Sequence, residues 1–220
     1  MVTSAADRRQ HILDEIDRAA ELAKRDPADV QLIAVSKGRS VEEIEPLIEA
    51  GQRDFGENRV QEALAKWPAL LARYSGIRLH EIGQLQSNKA AEAVKLFDVI
   101  HSVDRSSLLS ALSKEAEKAG RSPAVYVQVN IGEEEQKGGC AIAHIAAMIE
   151  AVRASPLPLA GLMAIPPLGV EPAPYFALLA KLARRHDVTG LSIGMSGDFR
   201  AAVMLGSTTV RVGTALFEDA

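Results

Sequence analysis

One lysine stands where an amine could do covalent chemistry. Lys37 directly follows the mostly apolar run at 32–36, which is typical of a buried strand, and the strand breaker Gly38 comes next. Desolvation at such a place would lower the pKa of the amine, because burial disfavours its charged form. A neutral amine is a nucleophile that forms Schiff bases with carbonyl compounds. The alternative is a lysine that extends its ammonium group into solvent beside a loop.

Two segments near the carboxyl end pair a hydroxyl side chain with a glycine, and an arginine lies close to the second. In Ser196-Gly197 and Gly213-Thr214 the glycine allows backbone N–H groups to approach an anion closely. Each pair also fits an ordinary helix cap or turn. Arg211 stands between β-branched residues, so it must be paired or functional if it points inward. If its side chain points inward, Arg211 could reach the ring nitrogen of a pyridine-containing ligand. If the side chain points outward, it could reach solvent.

Alternating patterns define the elements that would position these groups. Short apolar runs, which predict strands, alternate with amphipathic segments, which predict helices. The predicted strands are 31–36, 53–56, 77–83, 98–101, 124–131, 159–165, 191–194 and 208–213, and the predicted helices between them are 40–50, 58–72, 87–95, 105–118, 141–153, 173–185 and 198–205. An extra amphipathic helix is predicted at about 5–25. We therefore expect a single domain over 1–220, an α/β (β/α)8 TIM barrel with the N-terminal helix packed on it; an open doubly wound sheet is the alternative.

A barrel places its active site at the carboxyl ends of its strands, with a recurrent phosphate site in the loops after the last two strands. Lys37 would lie at the end of the first strand. The Ser196-Gly197 and Gly213-Thr214 pairs fall in the two phosphate loops. The predicted fold thus brings a possible Schiff-base lysine to the same face as a possible phosphate site.

Composition argues against several classes of function. The 220 residues carry a net charge of −4 and no block of basic residues, so we expect neither nucleic-acid nor membrane binding. The single cysteine, together with the lack of a signal-peptide pattern, leads us to expect a cytoplasmic protein. The five histidines lack the spacing of metal ligands, so no metal is expected.

Seven motifs together resemble one family, the pyridoxal phosphate homeostasis proteins, which are single-domain relatives of the alanine racemase barrel. The motifs occur in order at 34–37 (AVSK), 55–58 (FGEN), 82–89 (IGQLQSNK), 100–104 (IHSVD), 161–166 (GLMAIP), 194–198 (GMSGD) and 210–214 (VRVGT). The resemblance implies a (β/α)8 barrel that binds pyridoxal 5′-phosphate as an aldimine with Lys37. It further implies Ser196, Gly213 and Thr214 at the phosphate, Arg211 at the pyridine nitrogen, Asn58 near the ring, and Lys137 in a loop at the rim. Met195 is predicted beside the phosphate loop.

The resemblance also implies a cofactor carrier or regulator in vitamin B6 homeostasis, without a defined catalytic turnover. We expect a monomer that has pyridoxal phosphate as its ligand and enzymes lacking their cofactor as transient partners. The alternative is a racemase-like enzyme with weak activity. Alanine racemases need a second base, a tyrosine from a second domain, and Tyr74, Tyr126 and Tyr175 are all predicted away from the ring.

The sequence departs from the family pattern at two places. Glu81 stands where the family commonly has an aromatic residue, which questions the packing of that face. Glu218 follows Phe217 where a glycine and an arginine are common, which questions how the last turn covers the phosphate.

Overall fold

Eight parallel strands form a closed barrel in which each strand pairs with its neighbours in chain order. The computed structural model describes residues 4–218. The strands are β1 (Gln31–Val35), β2 (Asp54–Glu57), β3 (Arg78–Glu81), β4 (Val99–Val103), β5 (Ala124–Val129), β6 (Leu159–Ala164), β7 (Leu191–Met195) and β8 (Thr209–Val212). The barrel closes where β1 lies parallel to β8, from Gln31 opposite Thr209 to Ala34 opposite Val212. The predicted (β/α)8 barrel is confirmed, and the open doubly wound sheet is not formed.

Helices cover the outside of the barrel. They are α1 (Ala5–Leu22), α2 (Val41–Glu49), α3 (Val60–Arg73), α4 (Ala90–Leu96), α5 (Ser106–Ala119), α6 (Ile145–Arg153), α7 (Ala173–Arg185), α8 (Phe199–Met204) and α9 (Thr214–Phe217). Single 3₁₀ turns at Ser87–Lys89 and Ile142–His144 precede α4 and α6, where the sequence pattern predicted continuous helices. Within residues 4–218, no helix has both the length and the apolar character to cross a membrane.

The N-terminal helix α1 packs against the helices that precede and follow β8. Ser4 caps it through a reciprocal pair of hydrogen bonds with Asp7, which satisfies N–H groups that would otherwise lack partners. The helix buries a stripe that includes Ile12 and Ile16 and contacts α8 and α9. It ends at Leu22, three residues before the predicted limit, and a 3₁₀ turn at Pro27–Asp29 leads into β1.

The interior of the barrel contains hydrogen-bonded polar side chains. His101 on β4 contacts Ser192 on β7 with 2.9 Å between His101 Nδ1 and Ser192 Oγ. The hydroxyl of Tyr126 on β5 lies 3.2 Å from Oγ1 of Thr209 on β8. Neither pair of strands is adjacent, so these contacts must cross the lumen. Barrel interiors are more commonly filled by Val, Ile and Leu.

Glu81 lies on the opposite face of β3 from His80, because successive strand residues point to opposite sides. The side chain is 1 % exposed and accepts a 2.7 Å hydrogen bond from Ser102 Oγ and a 3.1 Å hydrogen bond from the Gly83 N–H. The face is therefore packed, with a polar pair in place of an aromatic ring. Burial raises the pKa of Glu81 to about 8, although both hydrogen bonds oppose the shift.

We predict that Glu81→Gln makes stability less sensitive to alkaline pH. The folded protein keeps Glu81 protonated up to a pKa of about 8, whereas the unfolded chain ionises it near 4.5, so stability is lost as pH rises between these values. A glutamine mimics the neutral acid. The loss in free energy of unfolding between pH 5 and pH 9 should be smaller in the variant by on the order of a few kcal/mol.

Urea unfolding at both pH values measures this difference. Other titrating groups contribute equally to both proteins and cancel in the comparison. Glu150→Gln serves as a control because the side chain of Glu150 is 71 % exposed. An equal pH dependence in the wild type and in Glu81→Gln would contradict the prediction.

Candidate cofactor-binding site

A cavity of about 370 Å³ opens at the carboxyl ends of the strands and brings the predicted site residues together. Its lining includes Lys37, Asn58, Met195, Ser196, Arg211, Gly213 and Thr214. These residues come from β7, β8 and the segments that follow β1, β2, β7 and β8. Ligand pockets commonly have volumes of roughly 300–1,000 Å³, so the cavity is large enough for a small organic molecule.

Lys37 is exposed, and its side chain lines the cavity from the loop after β1. Of the two interpretations of Lys37, the desolvated amine is therefore wrong, and the lysine that reaches solvent beside a loop is correct. The strand ends at Val35 and only Ser36 is fully buried beyond it, so Lys37 has already left the packed layer. The amine is accessible both to a ligand in the cavity and to water.

The loop that carries Lys37 is held by a buried ammonium group from α3. Lys66 Nζ donates hydrogen bonds to the backbone carbonyls of Ser36, at 2.7 Å, and Arg39, at 3.2 Å. The same nitrogen lies 2.9 Å from Oε1 of Glu57, which is completely buried. Because the two carbonyls lie on either side of Lys37, Lys66 fixes the backbone from which the Lys37 side chain extends.

The loop after β7 is shaped by a glycine that no other residue could replace without strain. Gly194 has a φ of +95°, and a Cβ atom there would lie 2.6 Å from the Cβ of Ala202 on α8. The chain then turns so that Ser196 Oγ accepts a 3.3 Å hydrogen bond from the Gly213 N–H. Two loops that are distant in sequence are thus joined, and they present the hydroxyls of Ser196 and Thr214 to one cavity.

Arg211 is buried inside the barrel and still lines the cavity. Its NH1 donates to the carbonyl and to Oγ of Ser192, at 2.6 and 2.5 Å, and its NH2 donates to the carbonyl of Ala164 at 3.3 Å. Burial lowers the pKa of Arg211 to about 10, while the nearby Asp198 and Tyr126 oppose the shift. The guanidinium therefore stays charged at neutral pH, and it supplies hydrogen-bond donors at the base of the cavity.

Asn58 and Lys137 differ in their relation to the cavity. Asn58 lines it, and within residues 4–218 its buried Oδ1 has no hydrogen-bond partner. Lys137 does not line it: its amine lies 2.6 Å from Oε2 of Glu134 and 3.3 Å from the carbonyl of Pro166. That proline follows the lining residue Ile165, so Lys137 lies just beyond the cavity wall.

Several lining residues were not predicted from the sequence. They are Val35, Arg39, Ile82 and Ile165, which end or follow strands; that position was the signal available for finding them. Arg39 also ties down the last turn, because its guanidinium lies 5.2 Å from the ring centroid of Phe217 and pairs with Glu218. The departure from the family pattern at Glu218 thus forms an ion pair with Arg39, a residue that lines the cavity.

Nothing among the described residues suggests a metal centre. Within residues 4–218, no three His, Cys, Asp or Glu side chains are grouped as metal ligands. The donors around the cavity are an amine, two guanidinium groups, hydroxyls and an amide. Such a set binds an anionic organic molecule better than a cation.

Comparison with known proteins identifies the fold with one family. Residues 9–220 match the family model described as the alanine racemase N-terminal domain. The pyridoxal phosphate homeostasis protein of Pseudomonas aeruginosa is 44 % identical over 209 residues, covering 92 % of this chain and 90 % of that protein. The protein of the same name from Escherichia coli is 37 % identical, covering 94 % and 92 % respectively.

A solved structure agrees with these relatives. PipY of Synechococcus elongatus, determined with PLP bound, is 41 % identical and superimposes with a TM-score of 0.79, covering 92 % of this chain and 99 % of PipY. Both the sequence and the fold are therefore similar over nearly the whole length. The chain belongs to the pyridoxal phosphate homeostasis protein family, whose barrel is that of the alanine racemase N-terminal domain.

Proposed function

We propose that this chain binds pyridoxal 5′-phosphate reversibly, with Lys37 as its covalent anchor, and holds the cofactor without a catalytic turnover of its own. One observation carries the proposal: a single cavity joins an accessible amine, two loops rich in anion-binding groups and a buried guanidinium. These groups match the three functional parts of the cofactor, which are its aldehyde, its phosphate and its pyridine nitrogen.

Lys37 is the group that would react with the aldehyde. Its Nζ attacks the carbonyl carbon, a C=N bond forms, and the carbonyl oxygen leaves as water. Among the lining residues within the described part of the chain it is the only amine, because the other basic groups are the guanidinium groups of Arg39 and Arg211. The exposure of Lys37 leaves water free to reverse the reaction.

Ser196, Gly213 and Thr214 would hold the phosphate. Hydroxyls and backbone N–H groups are effective phosphate donors where glycine permits close approach. Asp198, the nearest carboxylate in this loop, does not line the cavity, and its Oδ1 accepts the N–H of Met195 at 2.6 Å. The anion would therefore meet donors rather than a negative charge.

Arg211 would donate a hydrogen bond to the pyridine nitrogen. A charged guanidinium has hydrogen-bond donors and no acceptor, so it would face an unprotonated ring nitrogen. A neutral pyridine ring withdraws electrons less strongly than a pyridinium ring. The cofactor would then be bound firmly without being strongly activated for carbanion chemistry.

The lining residues do not supply the acid and base groups of a racemase. Among the described residues, the cavity wall contains no carboxylate, imidazole, thiol or phenol. Tyr126 points into the lumen toward Thr209, whereas Tyr74 ends α3 and Tyr175 lies on α7. Racemisation needs proton transfer on two faces of the substrate, and Lys37 alone offers one amine on one face.

The relatives support the same conclusion. Proteins similar over most of this chain are named for pyridoxal phosphate homeostasis, and PipY was determined with PLP bound. We propose that this chain likewise buffers the cofactor inside the cell and exchanges it with enzymes that lack it. A carrier must release its ligand, and the exposed Lys37 suits that requirement.

We predict that borohydride fixes pyridoxal phosphate to Lys37. Reduction converts the C=N bond to a stable amine, so peptide mass spectrometry should locate the phosphopyridoxyl group on the peptide that contains Lys37. Lys37→Ala should lose this label but retain weak binding through Ser196 and Thr214. Lys137→Ala is the matched control and should be labelled like the wild type. A label that persists in Lys37→Ala at wild-type yield would contradict the assignment.

We predict that the phosphate loops determine affinity. Ser196→Ala and Thr214→Val each remove a hydroxyl with little change in volume. Each should weaken pyridoxal phosphate binding roughly tenfold or more, since hydrogen bonds to charged groups contribute about 1.5–3 kcal/mol. Pyridoxal, which lacks the phosphate, should bind the variants and the wild type equally weakly. Titration by absorbance measures both ligands, and equal losses for the two would place the phosphate elsewhere.

We predict no amino-acid racemisation by the loaded protein. The cavity lacks a second acid/base group, so incubation with L- or D-alanine should give no interconversion above that of free pyridoxal phosphate at the same concentration. Chiral chromatography of the amino acid provides the measurement. Rapid interconversion that disappears in Lys37→Ala would replace the carrier proposal with the racemase alternative.

A further inference from the structure

A continuous chain of hydrogen bonds crosses the barrel from the start of β2 to Arg211. Asp54 Oδ1 lies 3.0 Å from His80 Nε2, and His80 Nδ1 lies 3.0 Å from His101 Nε2. His101 Nδ1 lies 2.9 Å from Ser192 Oγ, which accepts a 2.5 Å hydrogen bond from Arg211 NH1. Of these residues, Asp54 alone is partly exposed, and the other four are buried.

The chain has one consistent direction. Burial lowers the pKa of His80. Burial also lowers the pKa of His101 far below its ordinary value, with help from the charge that His80 would carry if protonated and from the charge of Arg211. Burial would raise the pKa of Asp54, but hydrogen bonds from His80 and Gln31 outweigh it and the pKa falls. Asp54 is therefore an anion that only accepts, and each neutral imidazole donates from one nitrogen and accepts at the other.

These roles fix every proton along the chain. His80 must donate its Nε2–H to Asp54, so its Nδ1 accepts from the Nε2–H of His101. The Nδ1 of His101 then accepts the hydroxyl proton of Ser192. The lone pairs of Ser192 Oγ are left to accept from Arg211, which has only donors.

The last link restricts the guanidinium of Arg211. Its NH1 is held by both oxygens of Ser192 and its NH2 by the carbonyl of Ala164. Because the guanidinium is planar, three bonds fix its rotation, and they leave the remaining donors for the cavity that Arg211 lines. An opposite tautomer at His101 would donate to Ser192 Oγ and leave the hydroxyl proton without this acceptor.

We propose that Asp54, His80, His101 and Ser192 are positioning residues that act through Arg211, aligning its guanidinium with the ring nitrogen of the bound cofactor. The alignment with the cofactor rests on the proposed function. The direction of the hydrogen bonds from Ser192 to Asp54 is a property of the protein without ligand. Polar groups in a barrel lumen are costly unless all are satisfied, and an apolar lumen would fold without them. This series of hydrogen bonds differs from ordinary core packing because it ends on Arg211, a residue that lines the cavity.

The first experiment examines the protein without ligand. Two-dimensional ¹H–¹⁵N spectra of the imidazole nitrogens, assigned with His80→Gln and His101→Gln, report the tautomer of each ring. Both histidines should be neutral and carry their proton on Nε2 at pH 7. A proton on Nδ1 of either ring, or a charged imidazole, would overturn the directional chain.

The second experiment tests the effect on the ligand. His101→Phe keeps a ring to stack on Tyr126, which lies 4.4 Å away between centroids at 13°, but it breaks the chain. His101→Gln keeps a donor and an acceptor, and Ser192→Ala removes only the hydroxyl. Each protein is titrated with pyridoxal phosphate, with its analogue carrying C–H in place of the ring nitrogen, and with inorganic phosphate.

His101→Phe and Ser192→Ala should bind pyridoxal phosphate roughly tenfold more weakly than the wild type, with His101→Gln in between. All should bind the nitrogen-free analogue and inorganic phosphate as the wild type does. Equal losses for all three ligands would show a merely structural role and overturn the proposal, as would unchanged pyridoxal phosphate affinity. A wild type that fails to bind pyridoxal phosphate would defeat the proposed function, and the imidazole spectra would still judge the direction of the chain.

Discussion

The pairing of β1 with β8 is the constraint on which the candidate site depends. Ala34 lies opposite Val212, so the segments that continue to Lys37 and to Thr214 leave the barrel side by side. In an open doubly wound sheet the first and last strands need not meet, and the amine of Lys37 and the loop at Thr214 could lie far apart. Closure alone therefore turns two distant parts of the sequence into one cavity.

Two buried cations then give the cavity its shape. Lys66 binds the carbonyls on either side of Lys37, and Arg211 binds those of Ser192 and Ala164. A buried charge is costly unless its partners are well placed, so these backbone segments cannot move without leaving a cation unsatisfied. The hydrogen bonds of Lys66 and Arg211 that shape the site are thus also required for the stability of the fold.

The sequence predicted the order of the elements and the barrel because strand and helix periods alternate cleanly. Strand and helix ends were less accurate: the strand predicted at 77–83 stops at Glu81, whose side-chain carboxyl group accepts a hydrogen bond from the Gly83 N–H. The sequence could not decide between a desolvated and a solvent-exposed Lys37, since the outcome depends on where β1 leaves the packed layer. The chain through His80 and His101 was also missed, because their meeting in the lumen follows from barrel closure and not from spacing along the sequence.

The exposure of Lys37 changes what a covalent anchor at this position would contribute. An enzyme that stabilises a reactive intermediate commonly excludes water from its site, yet Lys37 and Thr214 are both exposed here and Met195 is 40 % exposed. A Schiff base in such a place is open to water and to other amines, so covalent attachment alone would not retain a ligand for long. Retention would then depend on the phosphate loops and on Arg211, while Lys37 would set how readily the aldehyde is returned. In this division of roles the noncovalent contacts would determine affinity, and the lysine would determine reversibility.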